Sequence, residues 1–551
     1  MKLKGSQIIM ECLKEQGVDT LFGYPGGSIM PLYDSLYDYL DTFKHVLTSH
    51  EQGATHAADG YARSTGKPGV CFATSGPGAT NTVTGIATAY MDSVPIVVIT
   101  GQVACSLIGK DAFQEVDITG ITIPITKHNF FISSVEELAP SIRKAFKIAI
   151  SGRPGPVLID VPKNVMLELC DYEPEKAAHK TKIEPASDED ISMIAEYINK
   201  AKHPVIHSGG GVIISDASEE LTALAEKGDI PVTSTLMGLG AFSRRNPLSL
   251  GMVGMHGQKE ANLAVHNSDL VIAIGARFSD RVTGDVSRFA KQASVIHIDI
   301  DESEIGKNVK AHEFLIGDIK DILSRLLAKV EKKERLEWRE TIEGWKKECI
   351  ENDAAFCPDN IFKLLNKSLG DDVLVVTEVG QHQMWTAQKW PFVSPRSFIT
   401  SGGLGTMGFG LGAAIGTQVG NPDRRVLHIA GDGCFRMNFN ELITVAAYKL
   451  PIITIVLKND TLGMVRQWQK LFFGRRYSAT DLPDVVDYVK LTESMGLTGY
   501  YTRDLDGLAA ALENAKANNK GTVIICDIHI DENVFPIVPP GEAINNPISE
   551  E

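Results

Sequence analysis

Asp432 lies between Gly431 and Gly433 at the end of the apolar run "VLHIA", and Asn459 ends a second run, "IITIVLK", 27 positions later. Two such runs joined by one amphipathic segment predict neighbouring parallel strands with a crossover helix. Their carboxyl ends then lie roughly 5 Å apart on one sheet edge, the ligand side of such folds. An aspartate oxygen and an asparagine oxygen converging there suit Mg²⁺, which takes a few protein oxygens and completes its shell with phosphate and water. The flanking glycines permit close backbone approach, and the helix start beside them favours phosphate charge. G-D-G alone is as readily a plain tight turn. The strand–helix–strand frame and the terminal asparagine turn it into a metal–diphosphate clamp. A second carboxylate, Glu51 in "SHEQGA", stands at another strand-to-helix junction. A glutamate meeting the helix macrodipole is the ordinary explanation there; beside a clamp, the same group suits proton transfer.

The elements that must position these groups fall into three blocks. Residues 1–171 alternate strand-like and helical segments: "TLFGY" before the turn "PGGS", then "HVLTSH", "GVCFATSGPG", "PIVVITG" and "GPVLIDVP". Near-continuous apolar strands separated by helices indicate a parallel sheet covered on both faces. The stretch from Tyr172 to Asp190 reads as a solvated linker. Residues 190–327 repeat the pattern through "PVIHSGGGV", "IPVTSTLMG", "DLVIAIGARFSDRVTG" and "SVIHIDIDES". The Lys-, Glu- and Trp-rich stretch from Ala328 to Asn360 reads as an exposed connecting helix. Residues 360–551 hold "DVLVVTEVG", "RVLHIAGDG", "PIITIVLKND" and "TVIICDIHI". The expected fold class is α/β, with three doubly wound parallel-sheet domains, the first and third being two versions of one architecture.

Composition limits the partners. The 551 residues are 43% hydrophobic and 22% charged, ordinary for a globular protein, with a formal net charge of -15. That charge disfavours nucleic acid or an anionic membrane as principal partner. No apolar run approaches a membrane span or a signal peptide. The eight cysteines are scattered without a C-x-x-C pair, so reduced thiols in a cytoplasmic protein are the plain reading.

The segment around Asp432 and Asn459 resembles the thiamine diphosphate motif, with Lys458 where the first of two asparagines usually stands. The resemblance extends along the chain through "YPGGS", "HEQGA", "TSGPGATN", "DSVPIVVITGQV", "DAFQEVD", "ITKHNF", "SGRPGPVLIDVPK", "GMHG", "RFSDRVTG" and "LGMVRQW". In that order these segments are similar to the catalytic subunits of the acetohydroxyacid (acetolactate) synthase family. Departures are small: Ser28, Ala104 and Ser279 stand where many members carry Ala, Pro and Asp.

The resemblance implies decarboxylation of pyruvate on thiamine diphosphate. The hydroxyethyl unit then condenses with pyruvate or 2-oxobutanoate, in the biosynthesis of isoleucine, valine and leucine. It implies Mg²⁺ on Asp432, Asn459 and the backbone carbonyl of Thr461. Thiamine diphosphate would contact Glu51, Pro77, Asn81, Val379, Gly380, Gln381, His382, Gly405, Met407, Gly431, Asp432, Gly433 and Met464. The runs "VGQHQMW" and "SGGLGTMGFGLGAAIG" (Ser401 to Gly416) look like the other diphosphate and thiazolium contacts. Glu51, Gly27, Gln114 and Lys163 carry over as catalytic, and Phe113, Lys127, Arg281, Met464 and Trp468 as substrate contacts. "SGGGV" alone is a weak dinucleotide signal. The family places FAD there, carried to Arg153, Gly209, Gly210, Gly211, Thr235, Leu236, Met255, His256, Gly275, Arg277, Asp280, Arg281, Asp299, Ile300 and Asp318, with a largely structural role. The cofactor bridges the first and third blocks of two chains in this superfamily, so a homodimer or homotetramer follows, and biosynthetic members commonly bind a small regulatory subunit. His128 and His207 read as structural.

Rival readings remain open at this level. A pyruvate oxidase shares the three blocks but uses its flavin for redox; Arg281 with Trp468 favours the synthase. Glyoxylate carboligase is disfavoured by Glu51, the flavin-free catabolic synthase by "RFSDRVTG", and a non-catalytic nucleotide-binding partner by Glu51, Asp432 and Asn459 together.

Overall fold

The Val- and Ile-rich runs form strands buried along nearly their whole length, among them Ile96–Gln102, Val157–Pro162, Val426–Gly431 and Ile453–Lys458. A computed structural model describes residues 1–347 and 355–549. Three six-stranded sheets result, each parallel throughout and each flanked by helices.

Numbering the strands within each sheet by chain order, the first sheet runs 2-1-3-4-6-5: Lys44–Leu47, Thr20–Gly23, Gly69–Ala73, Ile96–Gln102, Val157–Pro162, His128–Phe131. The third sheet has the same order, built from Phe398–Ile399, Leu374–Thr377, Val426–Gly431, Ile453–Lys458, Thr522–Asp527 and Thr498–Thr502. The expected kinship of the two outer blocks is therefore present strand by strand. The middle sheet runs 3-2-1-4-5-6, the order of dinucleotide-binding folds, from Ser249–Met252 through Pro204–Ser208 to Glu313–Ile316. In every sheet the order reverses beside its first strand, opening a crevice at the carboxyl edge. The turns at those crevices are Pro25–Gly27 with Ser75–Pro77, Gly209–Gly211 with Gly275, and Val379–Gly380 with Gly431–Gly433.

The outer domains meet through the helices Glu51–Thr65 and Gly410–Gly420, at backbone contact distance. A Cβ built on Gly416 would lie 1.7 Å from the Ala57 carbonyl oxygen, and one on Gly60 2.2 Å from that of Ala413. The glycines of "GFGLGAAIG" thus serve helix packing, whereas the same run reads from sequence as cofactor contact. Gly416→Val should cost of order 3 kcal/mol through overpacking against a carbonyl that cannot yield. Calorimetry should show it as a lowered unfolding temperature of the outer domains.

Two readings are corrected. The stretch 328–360 is not one exposed helix. A helix Leu336–Lys346 buries Trp338 and Ile342 against the middle domain. The Trp338 indole N–H donates to the Pro204 carbonyl at 3.1 Å and the ring lies 4.8 Å from His203. The i, i+4 spacing of Trp and Ile gives this helix an apolar stripe despite its charge; residues 348–354 of the stretch lie outside the described residues. The end of the chain, read with the third block, returns to the middle domain: Val538 N–H donates to the Met255 carbonyl at 2.8 Å, and Ile544 joins that domain's core. The seven described cysteines are free, and no described helix is long and apolar enough to cross a membrane.

Candidate active site

Gly431 pairs with Leu457 across adjacent strands, so the residues that follow each strand meet at one edge. Asp432 opens the helix Asp432–Asn438, and its Oδ2 accepts the Asp460 N–H at 3.0 Å. Asn459 turns its Oδ1 to the Thr461 N–H (3.3 Å) and its Nδ2 to Gln381 Oε1 (3.4 Å). The Thr461 hydroxyl donates to the Thr480 carbonyl at 3.0 Å. Burial raises the Asp432 carboxyl to about 6, and the neighbouring Asp460 adds to the shift. A cation bound at this edge opposes both effects. Lys458, the departure from the usual asparagine pair, is buried and ion-paired with Asp460, and so tempers the second carboxylate. Among the described residues no cluster of three His, Cys, Asp or Glu side chains could hold a metal. A carboxylate, an amide oxygen and a backbone carbonyl with phosphates to follow is the donor set of Mg²⁺, and needs no such cluster.

The Val379–Gly380 turn lies opposite the clamp. His382 is fully buried and held neutral by desolvation, its pKa pushed down to about 3. It packs so closely that a Cβ on Gly431 would meet its Nδ1 at 2.9 Å. Gln381 bonds Asn459, Gln467 and the Glu532 carbonyl, tying the turn to the helix Gly463–Phe472. That helix buries only Gln467, as its polar sequence suggests. Trp468 packs edge-on to Phe472 at 5.5 Å. Gly405 is left-handed (φ 70°), and a Cβ there would meet only Val379 Cγ1 at 3.9 Å; Met407 is half-buried on the same loop.

One cavity of about 2040 Å³ joins this region to the middle domain. Val379, Gly380, Gly405, Met464 and Trp468 line one end. Gly210, Gly211, Thr235, Leu236, Gly275 and Arg277 line the other. Met255, His256, Asp280, Arg281, Asp299 and Ile300 complete the middle-domain wall, and Lys127 and Arg153 reach in from the first domain. The glycine turn is as tight as a close-packed strand–helix junction requires, a Cβ on Gly211 meeting the Gly275 Cα at 2.7 Å. Gly209 is buried behind it, 2.0 Å (as a built Cβ) from the Gly275 oxygen. Asp318 is away from the cavity and caps the helix Ile319–Lys329 through the Asp321 N–H at 3.1 Å. Arg153 is held by Glu304 (2.7 Å) and by the Ser93 hydroxyl (2.8 Å). Lys127 is engaged too: its ammonium donates to the Ile148 and Ser151 carbonyls at 2.5 and 2.7 Å, stapling a helix end. Burial lowers its pKa to about 8. His207 is buried and neutral, its pKa pushed to about 4, between Thr233 and Phe278.

The remaining first-domain residues gather at that domain's own carboxyl edge and do not line this cavity. Glu51 begins its helix, and its Oε2 accepts the Asn81 amide at 3.0 Å. Pro77 starts the helix Pro77–Asn81. Gly76 abuts Gln114, which is itself left-handed (φ 61°), while Gly27 faces open space. Phe113 is 88% exposed and Lys163 opens the helix Lys163–Leu167. Glu51 is thus outside this cavity; Asp432, Asn459 and Thr461 do not line it either, and the diphosphate-side wall is made by Val379 and Gly380.

Family models match each block: the N-terminal thiamine pyrophosphate binding domain at residues 3–121, the central domain of these enzymes at 191–326, and the C-terminal thiamine pyrophosphate binding domain at 378–526. A probable acetolactate synthase large subunit of Methanocaldococcus jannaschii is 47% identical over 99% of this chain and 95% of its own length. The acetolactate synthase isozyme 2 large subunit of Escherichia coli is 46% identical, covering 98% of both chains. An acetolactate synthase of Mycobacterium bovis is 44% identical over 98% of this chain and 90% of its own. The chain belongs to the acetolactate synthase large subunits of the thiamine pyrophosphate enzyme family.

For a member of that family, the side chains fit the cofactors: glycines clear the approaches, an oxygen donor set closes the clamp, and the buried His382 Nε2 lacks a protein partner. Sequence reasoning missed two supports. Glu378 is buried and accepts the Gly408 and Leu411 N–H groups at 2.7 and 3.3 Å. Asp92 accepts the Gly402 and Gly403 N–H groups at 2.9 and 2.7 Å while paired with buried Arg63. The signals were an acid at a strand end, in "TEVG", and an acid before the Ser93 turn; neither says where its partners are.

Proposed function

We propose that this protein decarboxylates pyruvate and condenses the two-carbon unit with pyruvate or 2-oxobutanoate, giving 2-acetolactate or 2-aceto-2-hydroxybutanoate. The observation that carries the reading is the single cavity in which Arg281 and Trp468 share walls with the diphosphate turn and the middle-domain glycines. Thiamine diphosphate, when bound, supplies the nucleophilic C2 carbon that attacks the 2-oxo group and takes up the electron pair left by CO₂. Asp432, Asn459 and the Thr461 carbonyl would hold Mg²⁺, which would supply the positive charge that binds the diphosphate. Glu51 exchanges a proton with an aminopyrimidine ring nitrogen, and the Gly27 N–H meets charge developing on substrate oxygen. The Arg281 guanidinium, two-thirds exposed and, among the described residues, ion-paired with Asp280 alone at 3.2 Å, binds the acceptor carboxylate as a fork. The glycine turn at Gly210–Gly211 with Gly275 and Arg277 would hold FAD at the middle-domain end of the cavity, and the net reaction would ask no electron transfer of it. Lys127, tied to two carbonyls, acts by setting the Gly152–Arg153 turn rather than by meeting substrate.

The place of Glu51 at its own domain's carboxyl edge, bonded to Asn81, fits a homodimer in which one chain's first domain completes its partner's clamp. Exposed Phe113, Leu107, Ile108 and Met437 supply apolar surface for that contact. The large-subunit designation of the relatives supports a small regulatory partner.

Trp468→Leu tests the assignment of the acceptor pocket. One methylene distinguishes the two acceptors, and a fitted apolar wall is worth roughly 1–3 kcal/mol for it. The product ratio in a competition of both oxo acids should shift several-fold or more toward 2-acetolactate, with donor decarboxylation affected less. A wild-type ratio with collapsed total rate would make Trp468 a packing residue. Oxygen uptake in step with pyruvate consumption would instead give the flavin a redox role.

A further inference from the structure

The first turn of a helix carries N–H groups with no intrahelical partner, and whatever meets them fixes where the helix begins. For Glu51–Thr65 the His50 side chain caps Gln52 N–H at 3.1 Å. The residue before it is held from another domain. Ser49 N–H donates to both carboxylate oxygens of Glu441, each at 3.1 Å, and the Ser49 hydroxyl donates to the Asn440 carbonyl at 3.1 Å. The Thr444 hydroxyl completes the carboxylate at 2.7 Å. Glu441 is fully buried, and every hydrogen bond it makes is accepted, as an ionised carboxylate requires. Gly53 makes the room: a Cβ there would lie 2.2 Å from Glu441 Oε1. The same C-terminal segment holds the other end of the turn, where Leu47 N–H donates to the Tyr448 hydroxyl at 2.7 Å.

Glu441 ends the short turn Phe439–Glu441 that continues the helix opened by Asp432. One continuous segment, from Asp432 to Glu441, therefore carries the metal-site aspartate at its start and grips the Glu51 helix at its end. We propose that Glu441 is a positioning residue for Glu51, setting where that carboxylate stands by anchoring the Ser49–Glu51 junction. Under the dimeric arrangement this joins two different sites, because the clamp on that segment and the Glu51 it holds serve opposite cofactors. The proposal rests on the reading that Glu51 exchanges protons with the cofactor.

The test uses Glu441→Gln, which keeps shape but turns an amide N–H₂ toward donors, and Glu441→Ala. In the protein without cofactor, amide hydrogen exchange over residues 47–54 should lose about tenfold or more of its protection as the anchoring bonds fail. With Mg²⁺ and thiamine diphosphate, cofactor affinity should hold. C2 proton exchange should slow about tenfold or more, as expected for a displaced catalytic group. The double variant Glu51→Gln, Glu441→Gln should exchange no more slowly than Glu51→Gln alone, since a residue acting through another adds nothing once that other is gone. Wild-type C2 exchange in Glu441→Gln alongside slow exchange in Glu51→Gln would overturn the proposal, as would fully additive effects. If Glu51→Gln itself exchanges like wild type, the role of Glu51 falls and the proposal with it, while the protection measurement still reports the anchoring contact separately. Should Glu441→Ala not fold, the Gln variant decides.

Discussion

Asp432→Ala abolishes turnover while leaving the protein folded: this is the largest effect expected of any single change. The side chain is one of two that meet at the clamp, and its Oδ2 also anchors the Asp460 N–H at 3.0 Å, so its loss would remove one of the proposed metal ligands and loosen the turn carrying the other. A Mg²⁺ site of this kind has few protein oxygens, so the loss of one would not be made good by the rest. Titration calorimetry with thiamine diphosphate and Mg²⁺ should show binding weakened by about 10² or more, the scale on which a lost charged partner acts. Wild-type affinity and turnover in this variant would remove Asp432 from the metal site.

Glu51→Gln should leave thiamine diphosphate bound and slow its C2 proton exchange by about 10² or more, the range for a lost acid–base group. An amide retains the Asn81 contact and the volume, but cannot carry the proton. The helix Glu51–Thr65 makes the result readable, because its packing on Gly410–Gly420 does not depend on the Glu51 side chain. Proton exchange followed by NMR checks the effect. An unchanged rate would return Glu51 to the role of a helix-start glutamate.

What was legible in the sequence were features whose cause is local. Asp432 and Asn459 could be placed because strand ends and a single crossover fix them on one edge, and the 2-1-3-4-6-5 order bears out the kinship of the outer blocks. The glycine turns at 209–211 and 380 could be placed for the same reason. What was hidden depends on partners remote in the chain. Glu441 meets Ser49 across 392 positions and Asp92 meets Gly402 across 310, and no periodicity encodes such pairings. The glycines at 412 and 416 read as cofactor contacts because a helix–helix contact at backbone distance and a phosphate loop ask the same thing of a residue, namely no side chain. Trp338 was read as exposed because the lysines and glutamates around it outnumber the two apolar residues that matter. Lys127 was read toward substrate, whereas its ammonium is satisfied by helix-end carbonyls.

Carboligation at a metal–diphosphate clamp served by Glu51 is read most directly from the identity of the product. Purified full-length protein is incubated with pyruvate, Mg²⁺ and thiamine diphosphate, with and without FAD, and the products are resolved by NMR. The predicted result is 2-acetolactate, with one CO₂ released for every two pyruvate consumed, no acetate and no oxygen uptake. Acetate or acetyl phosphate as the product, or cofactor binding without pyruvate consumption, would contradict it.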